Sequence, residues 1–326
     1  MEYQHFTMGE REQLAGFLGM NMRIRAIATA MKRHPSTIAR ERSRGTIDGV
    51  YSATDAAKAA KTRRKNSGSK GRYSFSMAVN ISALLRCTWS PEQIDGYCWL
   101  HGIPMASFKT IYRWLYAGKL FHYQAGQKNV LNTRVLRQKG MRSGSSMREV
   151  IAATGDSIHN RPPEVENRSE FGHWEADTVV SPRGVRGACV ATFLERQTRQ
   201  FYAIHMPNRT AAAMNIAIQT FVDSLPAGAV RSLSVDRGKE FATYTSVTKA
   251  LQIKLYFADP YSSWQRGSIE NHNGLLREFY PKETDFTTVS NEQLSSAVAM
   301  INCRPRKCHQ WRSTSQLFLT ALSQLK

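Results

Sequence analysis

Three acidic residues that lie far apart in the chain are the best candidates for chemistry. Asp177 lies in the apolar stretch HWEADTVV, Asp236 ends the stretch RSLSVD, and Glu270 lies near the start of GSIENHNGLLREFY. Three carboxylates that meet at one place repel one another unless cations neutralise them. Hard oxygen ligands of this kind suit Mg²⁺ or Mn²⁺. Two such ions can activate a water or a 3′-hydroxyl and stabilise the leaving oxygen of a phosphoryl displacement, which is nuclease and strand-transfer chemistry.

Each acid also has a purely structural interpretation when it is taken alone. Asp236 could cap the turn in DRGKEF, and Asp177 could contact solvent at the end of a strand. Glu270 could cap its helix or pair with Arg266. The nearby acids Glu175 and Glu240 could substitute for one of the three or assist it, because Glu175 shares a strand face with Asp177 if the strand is regular.

The pattern of apolar residues after about residue 171 predicts the elements that bring these acids together. Three strands, in HWEADTVV, GACVATFLERQ and QFYAIHMP, are followed by a helix, a strand, a helix, a strand and a final helix that carries Glu270. This is the element order of a ribonuclease H-like mixed sheet. Functional groups of α/β sheets gather at strand ends and helix starts, so the three acids can converge there.

The charge of the chain indicates a polyanionic partner, most often nucleic acid. The 326 residues carry a formal net charge of +20. Residues 1–150 hold 25 Lys and Arg against 9 Asp and Glu, whereas residues 151–326 hold 20 against 16. Binding and chemistry are therefore expected in different parts of the chain.

Two segments in the first 120 residues match the helix-turn-helix pattern. The first has predicted helices at residues 10–19, 24–31 and 36–44, with Ser36 as the cap of the third helix and Gly45 as its end. In the second segment, Ser90 and Pro91 begin a helix, and the turn GIP precedes another helix. That last helix is expected to bury Ile111, Trp114 and Leu115 and to expose Lys109 and Arg113.

The predicted organisation is a multidomain chain, with N-terminal all-α helix-turn-helix units followed by an α/β ribonuclease H-like catalytic domain. The expected bounds are residues 1–57 and 76–120 for the two helix-turn-helix domains, 58–75 and 121–165 for two basic linkers, and 166–326 for the catalytic domain. Two long stretches without acidic residues, between Asp55 and Glu92 and between Gly96 and Arg148, favour linkers that track DNA phosphates.

Several other functions have no support in the sequence. No GxxxxGK[ST] or GxGxxG motif occurs, so no nucleotide cofactor is predicted. The five cysteines are odd in number and scattered, which fits a reducing cytoplasm better than a disulfide framework. There is no signal-peptide pattern and no apolar window of 18 residues, so a cytoplasmic chain without a membrane partner is expected, associated with the bacterial nucleoid.

The stretches GHWEADTV, SVDRGKEF and YSSWQRGSIENHNGLLREFYPK resemble the three catalytic blocks of bacterial DDE transposases of the insertion-sequence-thirty family. The 33 residues between Asp236 and Glu270 match the spacing of that family. FTMGEREQL, IRAIATAMKRHPSTIARE and the WSPEQI to KTIYRWLY segment resemble its two DNA-binding regions. The resemblance therefore extends over nearly the whole chain.

The resemblance implies that Asp177, Asp236 and Glu270 are the catalytic triad and bind Mg²⁺ or Mn²⁺, as two ions. It implies binding to double-stranded DNA at the terminal inverted repeats of an insertion sequence, 3′-end cleavage, strand transfer into target DNA, and a homo-oligomer, at least a dimer, on paired ends. The expected DNA contacts are Ser36, Thr37, Arg40, Arg42, Arg44, Lys109, Arg113, Arg237, Asn273, Arg277 and Lys282.

Two positions depart from the family pattern. Ala176 stands where the family usually has glycine, and Arg237 stands where the second block usually has asparagine. The arginine could compete with a metal ion or hold a phosphate. The alternatives are a DNA-binding regulator with a degenerate ribonuclease H-like assembly domain, which the arginine favours, and a structure-directed nuclease without strand transfer.

Overall fold

The computed structural model describes residues 5–47, 49–67, 73–124, 127–131, 155–182, 187–260 and 262–325. The chain divides into two compact units, Met1–Tyr73 and Ser74–Lys326. Within the described ranges, no helix is both long and apolar enough to cross a membrane.

The first unit is a small helical domain. It contains helices α1 (Met8–Gly19), α2 (Ile24–Ala30), α3 (Pro35–Gly45) and α4 (Ala53–Ser67), with strands β1 (Thr46–Ile47) and β2 (Val50–Tyr51) before the last helix. Thr7 begins α1 with a capping box to Glu10. A core of Leu14, Ile27 and Ile38 holds the first three helices together, so the short helices are stabilised by packing rather than by length.

The predicted cap of α3 is wrong by two residues. The helix begins at Pro35, and His34 is the N-cap residue, because its ring Nδ1 accepts a hydrogen bond from the backbone N–H of Ser36. The hydroxyl of Ser36 is itself hydrogen-bonded to the same ring nitrogen, at 2.8 Å. Proline suits the first helical position because its missing N–H has no partner there in any case.

The second unit begins with three helices, α5 (Phe75–Arg86), α6 (Pro91–Leu100) and α7 (Phe108–Tyr116), and the hairpin of β3 (Phe121–Gln124) and β4 (Gln127–Val130). Ser90 caps α6 and Pro91 is its first residue, as predicted. The carboxylate of Asp95 accepts a hydrogen bond from the backbone N–H of Phe108 at the start of α7. The burial pattern of α7 is also confirmed: Ile111, Trp114 and Leu115 are buried, and Lys109 and Arg113 are exposed.

The rest of the second unit is built on a six-stranded sheet in the order β5-β10-β9-β6-β7-β8. Strands β6 (His173–Val180), β7 (Cys189–Glu195) and β8 (Phe201–Met206) form an antiparallel meander, whereas β9 (Ser232–Val235), β10 (Lys254–Phe257) and β5 (Asp156–Ser157) run parallel to β6. The predicted ribonuclease H-like mixed sheet is therefore confirmed. The two-residue β5 carries no periodic signal, and the sequence did not predict it.

Helices cover both faces of this sheet. On one face, α9 (Ala211–Asp223), α10 (Tyr244–Leu251) and α13 (Thr314–Ser323) contribute to a core that includes Trp174 and Phe193. On the other face, α11 (Gly267–Phe279) and α12 (Asn291–Asn302) pack on Val190 and Phe201. The four-residue helix α8 (Pro163–Glu166) precedes β6, and the hairpin of β11 (Pro305–Arg306) and β12 (Arg312–Ser313) precedes α13.

Regular structure also occurs inside the two segments predicted to be linkers. Residues 58–67 are the second part of α4, and residues 121–130 contain the β3–β4 hairpin. Residues 156–157 form β5 at the edge of the sheet. The remaining parts of these segments at 68–72 and 132–154 lie outside the described residues.

Candidate active site

Asp177 lies on the face of the sheet that is covered by α11. Side chains alternate along β6, so Trp174 and Ala176 enter the core on one face while Glu175, Asp177 and Val179 face the other. The Asp177 carboxylate accepts two hydrogen bonds, one from the backbone N–H of the neighbouring Thr178 at 2.8 Å and one from Asn273 Nδ2 of α11 at 3.0 Å. Its side chain is only 13% exposed.

Asp236 follows the last residue of β9, the strand next to β6. Its Oδ1 accepts a hydrogen bond from the backbone N–H of Gly238 at 3.0 Å. A Cβ atom at residue 238 would lie 2.9 Å from that same oxygen and 2.5 Å from Glu240 Oε2, so the turn requires glycine for lack of space. The capping interpretation of Asp236 is therefore correct, and it leaves Oδ2 for a second partner.

That second partner is Arg266, which lies between the two aspartates. Its Nη2 is 3.1 Å from Asp236 Oδ2, and its Nη1 is 3.9 Å from Asp177 Oδ1. The same Nη1 donates a hydrogen bond to the Ala176 carbonyl at 2.9 Å. Burial lowers the pKa of Arg266, but attraction to Asp177 and Asp236 outweighs burial and raises the pKa above its ordinary value. A permanent cation therefore joins the two acids.

Glu270 is placed differently from the two aspartates. It lies in the first turn of α11 and is exposed to solvent. Asn273 lies three residues later and is therefore its neighbour on the helix surface, and Asn273 contacts Asp177. Within the part of the chain that the structure describes, no group of three or more His, Cys, Asp or Glu side chains is arranged to hold a metal ion. The structure thus joins Asp177 and Asp236 but does not complete the three-acid cluster.

Glu175 fixes the start of the helix that carries Glu270. It is buried, its Oε2 accepts a hydrogen bond from the backbone N–H of Ile269 at 2.8 Å, and its Oε1 lies 2.5 Å from Arg196 Nη1. A carboxylate at a helix N-terminus is favoured by the helix dipole. At the other end of α11, Arg277 Nη2 donates to the Val180 carbonyl at 2.6 Å. Both ends of the helix are thereby attached to β6.

Glu240, which is buried, forms an ion pair with the exposed Arg209 behind the aspartates. Its Oε1 lies 2.5 Å from Arg209 Nη2 and accepts a hydrogen bond from Thr178 Oγ1 at 2.9 Å. Its Oε2 is buried and has no hydrogen-bond partner among the residues that the structure describes. From sequence this glutamate is only an auxiliary acid, and Arg209 gives no local signal because the two residues are 31 positions apart.

The residues expected to contact DNA occupy three places. Arg40, Arg42 and Arg44 are exposed on α3, where Ser36 and Thr37 are half-buried in the first turn. Lys109 and Arg113 are exposed on α7, and Lys282 is exposed just beyond α11. The other three residues have internal hydrogen bonds: Arg237 Nε donates to the Ala258 carbonyl at 3.2 Å, and Asn273 and Arg277 bond as described above. Arg266, which lies near both aspartates, is not one of the expected DNA contacts.

Comparison with known proteins places this site in a family. A helix-turn-helix domain model matches residues 2–45, and an integrase core domain model matches residues 167–263. The latter range includes Asp177 and Asp236 and ends before Glu270. Together with the mixed sheet, these matches define the class of DNA strand-transfer enzymes that comprises integrases and transposases.

Curated relatives identify the family within this class. The transposase InsI for insertion sequence element IS30A of Escherichia coli is 33% identical over 328 residues, which cover 96% of this chain and 83% of the relative. The transposase for IS4351 of Bacteroides fragilis is 33% identical, with coverage of 98% and 97%, and the transposase for IS1086 of Cupriavidus metallidurans is 32% identical, with coverage of 99% and 96%. The chain belongs to the IS30 family of transposases, and its function is DNA transposition.

One solved structure is also similar, with a lower sequence identity. The catalytic core domain of BIV integrase covers 47% of this chain and 96% of its own length, with 18% identity and a TM-score of 0.37. This similarity is too low to add to the fold assignment, which rests on the sheet topology and the family matches.

Proposed function

We propose that this transposase binds the terminal inverted repeats of its insertion sequence, cleaves 3′ ends and transfers them into target DNA, with Asp177, Asp236 and Glu270 as the ligands of two Mg²⁺ or Mn²⁺ ions. The observation that carries the proposal is the convergence of two aspartates, from adjacent strands, on one buried cation. The asparagine that bonds Asp177 lies on the same helix as Glu270.

The donor set fits a divalent cation. Carboxylate oxygens are the ligands that Mg²⁺ and Mn²⁺ prefer. The guanidinium of Arg266 already neutralises part of the charge of Asp177 and Asp236, so it stands in for a bound cation. Three carboxylates and one guanidinium leave a net negative charge, which a divalent ion can offset. When bound, such ions would supply activation of a water or 3′-hydroxyl and stabilisation of the leaving oxygen.

The chain's own residues would orient this chemistry. Asn273 holds one oxygen of Asp177, and Gly238 N–H holds one oxygen of Asp236, so each aspartate keeps a fixed direction. Glu175 and Arg277 hold the helix that presents Glu270. Fixed ligands matter because small displacements of reacting groups cost much of the rate.

DNA would be held by the exposed cations of the two helical regions. In a helix-turn-helix, the second helix enters the major groove. The exposure of Arg40, Arg42 and Arg44 on α3 and of Lys109 and Arg113 on α7 supports this mode, and Lys282 would contact phosphate near the active site. Paired ends would require at least a dimer.

The test is cleavage and joining of labelled DNA that carries the ends of the element, in Mg²⁺ or Mn²⁺, with the wild-type chain and Glu270→Gln. We expect metal-dependent 3′-end cleavage and joined products for the wild type, and loss of both in the variant while end binding persists. Binding without cleavage by the wild type, on correct ends and with either metal, would favour a DNA-binding regulator. Cleavage without joined products would favour a nuclease.

A further inference from the structure

The second helical region is attached to the catalytic part of its unit through the β11–β12 hairpin. Gly96 lies in the middle of α6, and a Cβ atom there would be 2.1 Å from Cδ2 and 2.3 Å from Cε2 of Trp311. The indole ring therefore lies directly against the helix backbone, at a place where only glycine leaves room for it. Trp311 and the preceding Gln310 both have positive φ values, 68° and 53°. Such conformations are unfavourable for non-glycine residues and persist only where the surroundings hold them.

Two polar side chains strengthen this attachment. Gln93 of α6 is buried and donates a hydrogen bond from Nε2 to the Pro305 carbonyl at 2.9 Å. Arg304 is fully buried, and its Nη2 donates to Thr88 Oγ1 at 2.7 Å, two residues before the cap of α6. Gln93 and Arg304 are themselves buried, so breaking these contacts leaves polar atoms of both side chains unsatisfied.

The same arginine also contacts the helix that carries Glu270. Arg304 Nη2 donates to Glu278 Oε2 at 3.0 Å, and its guanidinium lies 5.7 Å from the ring centroid of Phe279. Glu278 and Phe279 both belong to α11. One guanidinium therefore joins the start of α6 to the end of the catalytic helix.

The end of α12, two residues before Arg304, is in turn attached to the sheet. Asn302 Oδ1 accepts from the Phe201 N–H at 3.0 Å, and Asn302 Nδ2 donates to the Phe201 carbonyl at 2.7 Å. On the other side, α7 is joined to α6 by the hydrogen bond of Asp95 with Phe108 N–H and by that of Tyr112 with Glu92. A continuous series of specific contacts runs from α7, through α6 and the hairpin, to β8 and α11.

The geometry points to a positioning role for this attachment: the contact of Trp311 with Gly96 and the bridge made by Arg304 hold α7 at a fixed place relative to Glu270, and so determine which phosphate of the bound end is cut. This inference rests on the proposed function, because it requires that α7 contacts end DNA. Gly96, Trp311 and Arg304 act through other residues and touch no substrate.

The test introduces one methyl group at the contact. Gly96→Ala places the methyl against the indole while improving the intrinsic helix propensity of α6, so loss of the helix is not the expected effect. Gly16→Ala is the matched control, since residue 16 lies within α1 with nothing within 4 Å of the added atom. We expect end binding to persist in both variants. We expect Gly96→Ala to cut at several positions, with the rate at the normal position lowered by about tenfold to a hundredfold, and Gly16→Ala to cut like the wild type.

Trp311→Ala shows whether the effect of Gly96→Ala comes from the contact with the indole ring or from another effect of the methyl group. It removes the ring, so adding Gly96→Ala to it should cause no further loss, because the two changes act on one contact. An additive further loss in the double variant would overturn the inference. So would wild-type cleavage position and rate in Gly96→Ala.

A second readout does not depend on chemistry. A photoreactive group at position 282, just after α11, reports which nucleotide of the bound end lies beside the catalytic helix. We expect crosslinks at one position for the wild type and Gly16→Ala, and at several positions for Gly96→Ala. An identical crosslink pattern in Gly96→Ala would overturn the positioning role. If the wild type crosslinks at one position but never cuts, the proposed function fails, and the crosslink pattern of Gly96→Ala still decides the positioning role.

Discussion

The two sides of the candidate active site differ in how their acids are held. On the sheet side, Asp177 and Asp236 are largely buried, hydrogen-bonded to neighbouring groups, and joined by Arg266. On the helix side, Glu270 is exposed in the first turn of α11. The sheet side thus has its own counter-cation, whereas the place of Glu270 depends on how α11 is positioned. We infer that substitutions on the sheet side change both chemistry and stability, and that those at Glu270 change chemistry alone.

The largest expected effect is that of Asp236→Asn on cleavage. Loss of a charge that we propose binds metal should lower the cleavage rate by about a thousandfold or more, equivalent to about 4 kcal/mol. The variant should also lose stability, by about 1.5–3 kcal/mol, because the half-buried bond between Arg266 and a charged partner is removed. Cleavage assays and urea unfolding measure the two effects.

Glu270→Gln provides the contrast in the same assays. Its cleavage should fall as far, but its free energy of unfolding should stay within about 0.5 kcal/mol of the wild type, as for other exposed substitutions. Equal stability losses in Asp236→Asn and Glu270→Gln would remove the distinction between the two sides.

Arg266→Met should make the stability of the sheet side depend more strongly on Mg²⁺. Without its guanidinium, Asp177 and Asp236 lose the buried cation that lies between them, which should destabilise the chain by about 3 kcal/mol in the absence of divalent ions. Mg²⁺ should then raise the melting temperature of the variant more than that of the wild type, since a ligand that binds only the folded state stabilises it. KCl at matched ionic strength is the control. A melting temperature that Mg²⁺ shifts equally in both proteins would contradict the idea that Arg266 occupies the place of a cation.

The sequence predicts the elements that carry the three acids but not the cation that joins two of them. The alternating pattern of HWEADTVV, the apolar run before Asp236 and the helical pattern around Glu270 are local, and each was confirmed as the expected element. Arg266 precedes Glu270 by four residues, yet its contact with Ala176 spans 90 residues. Local position points instead to Arg237, which directly follows Asp236 and whose Nε donates to the carbonyl of Ala258.

Errors in the helical regions have a similar origin. Ser36 is a good N-cap type, but His34 takes that place because its ring reaches the same backbone N–H. Basic residues at 58–67 indicated a linker by composition, yet α4 continues through them, since lysine and arginine are good helix formers. The attachment of α6 to Trp311 joins residues more than two hundred positions apart, and no local pattern could indicate it.

Glu175→Gln produces the smallest expected effect and decides whether this acid belongs to the metal site or to the scaffold. Glutamine can still accept the hydrogen bond from Ile269 N–H, but it no longer neutralises Arg196, which is buried. We expect a loss of about 1–3 kcal/mol in the free energy of unfolding. Since α11 would be less firmly held, cleavage should fall with it, while the Mg²⁺-induced rise in melting temperature stays as in the wild type. If instead stability is unchanged and the response to Mg²⁺ is lost, Glu175 is a metal ligand, and the sheet side supplies three acids rather than two. That outcome would leave Glu270 with a supporting role and would overturn the division of the site between sheet and helix.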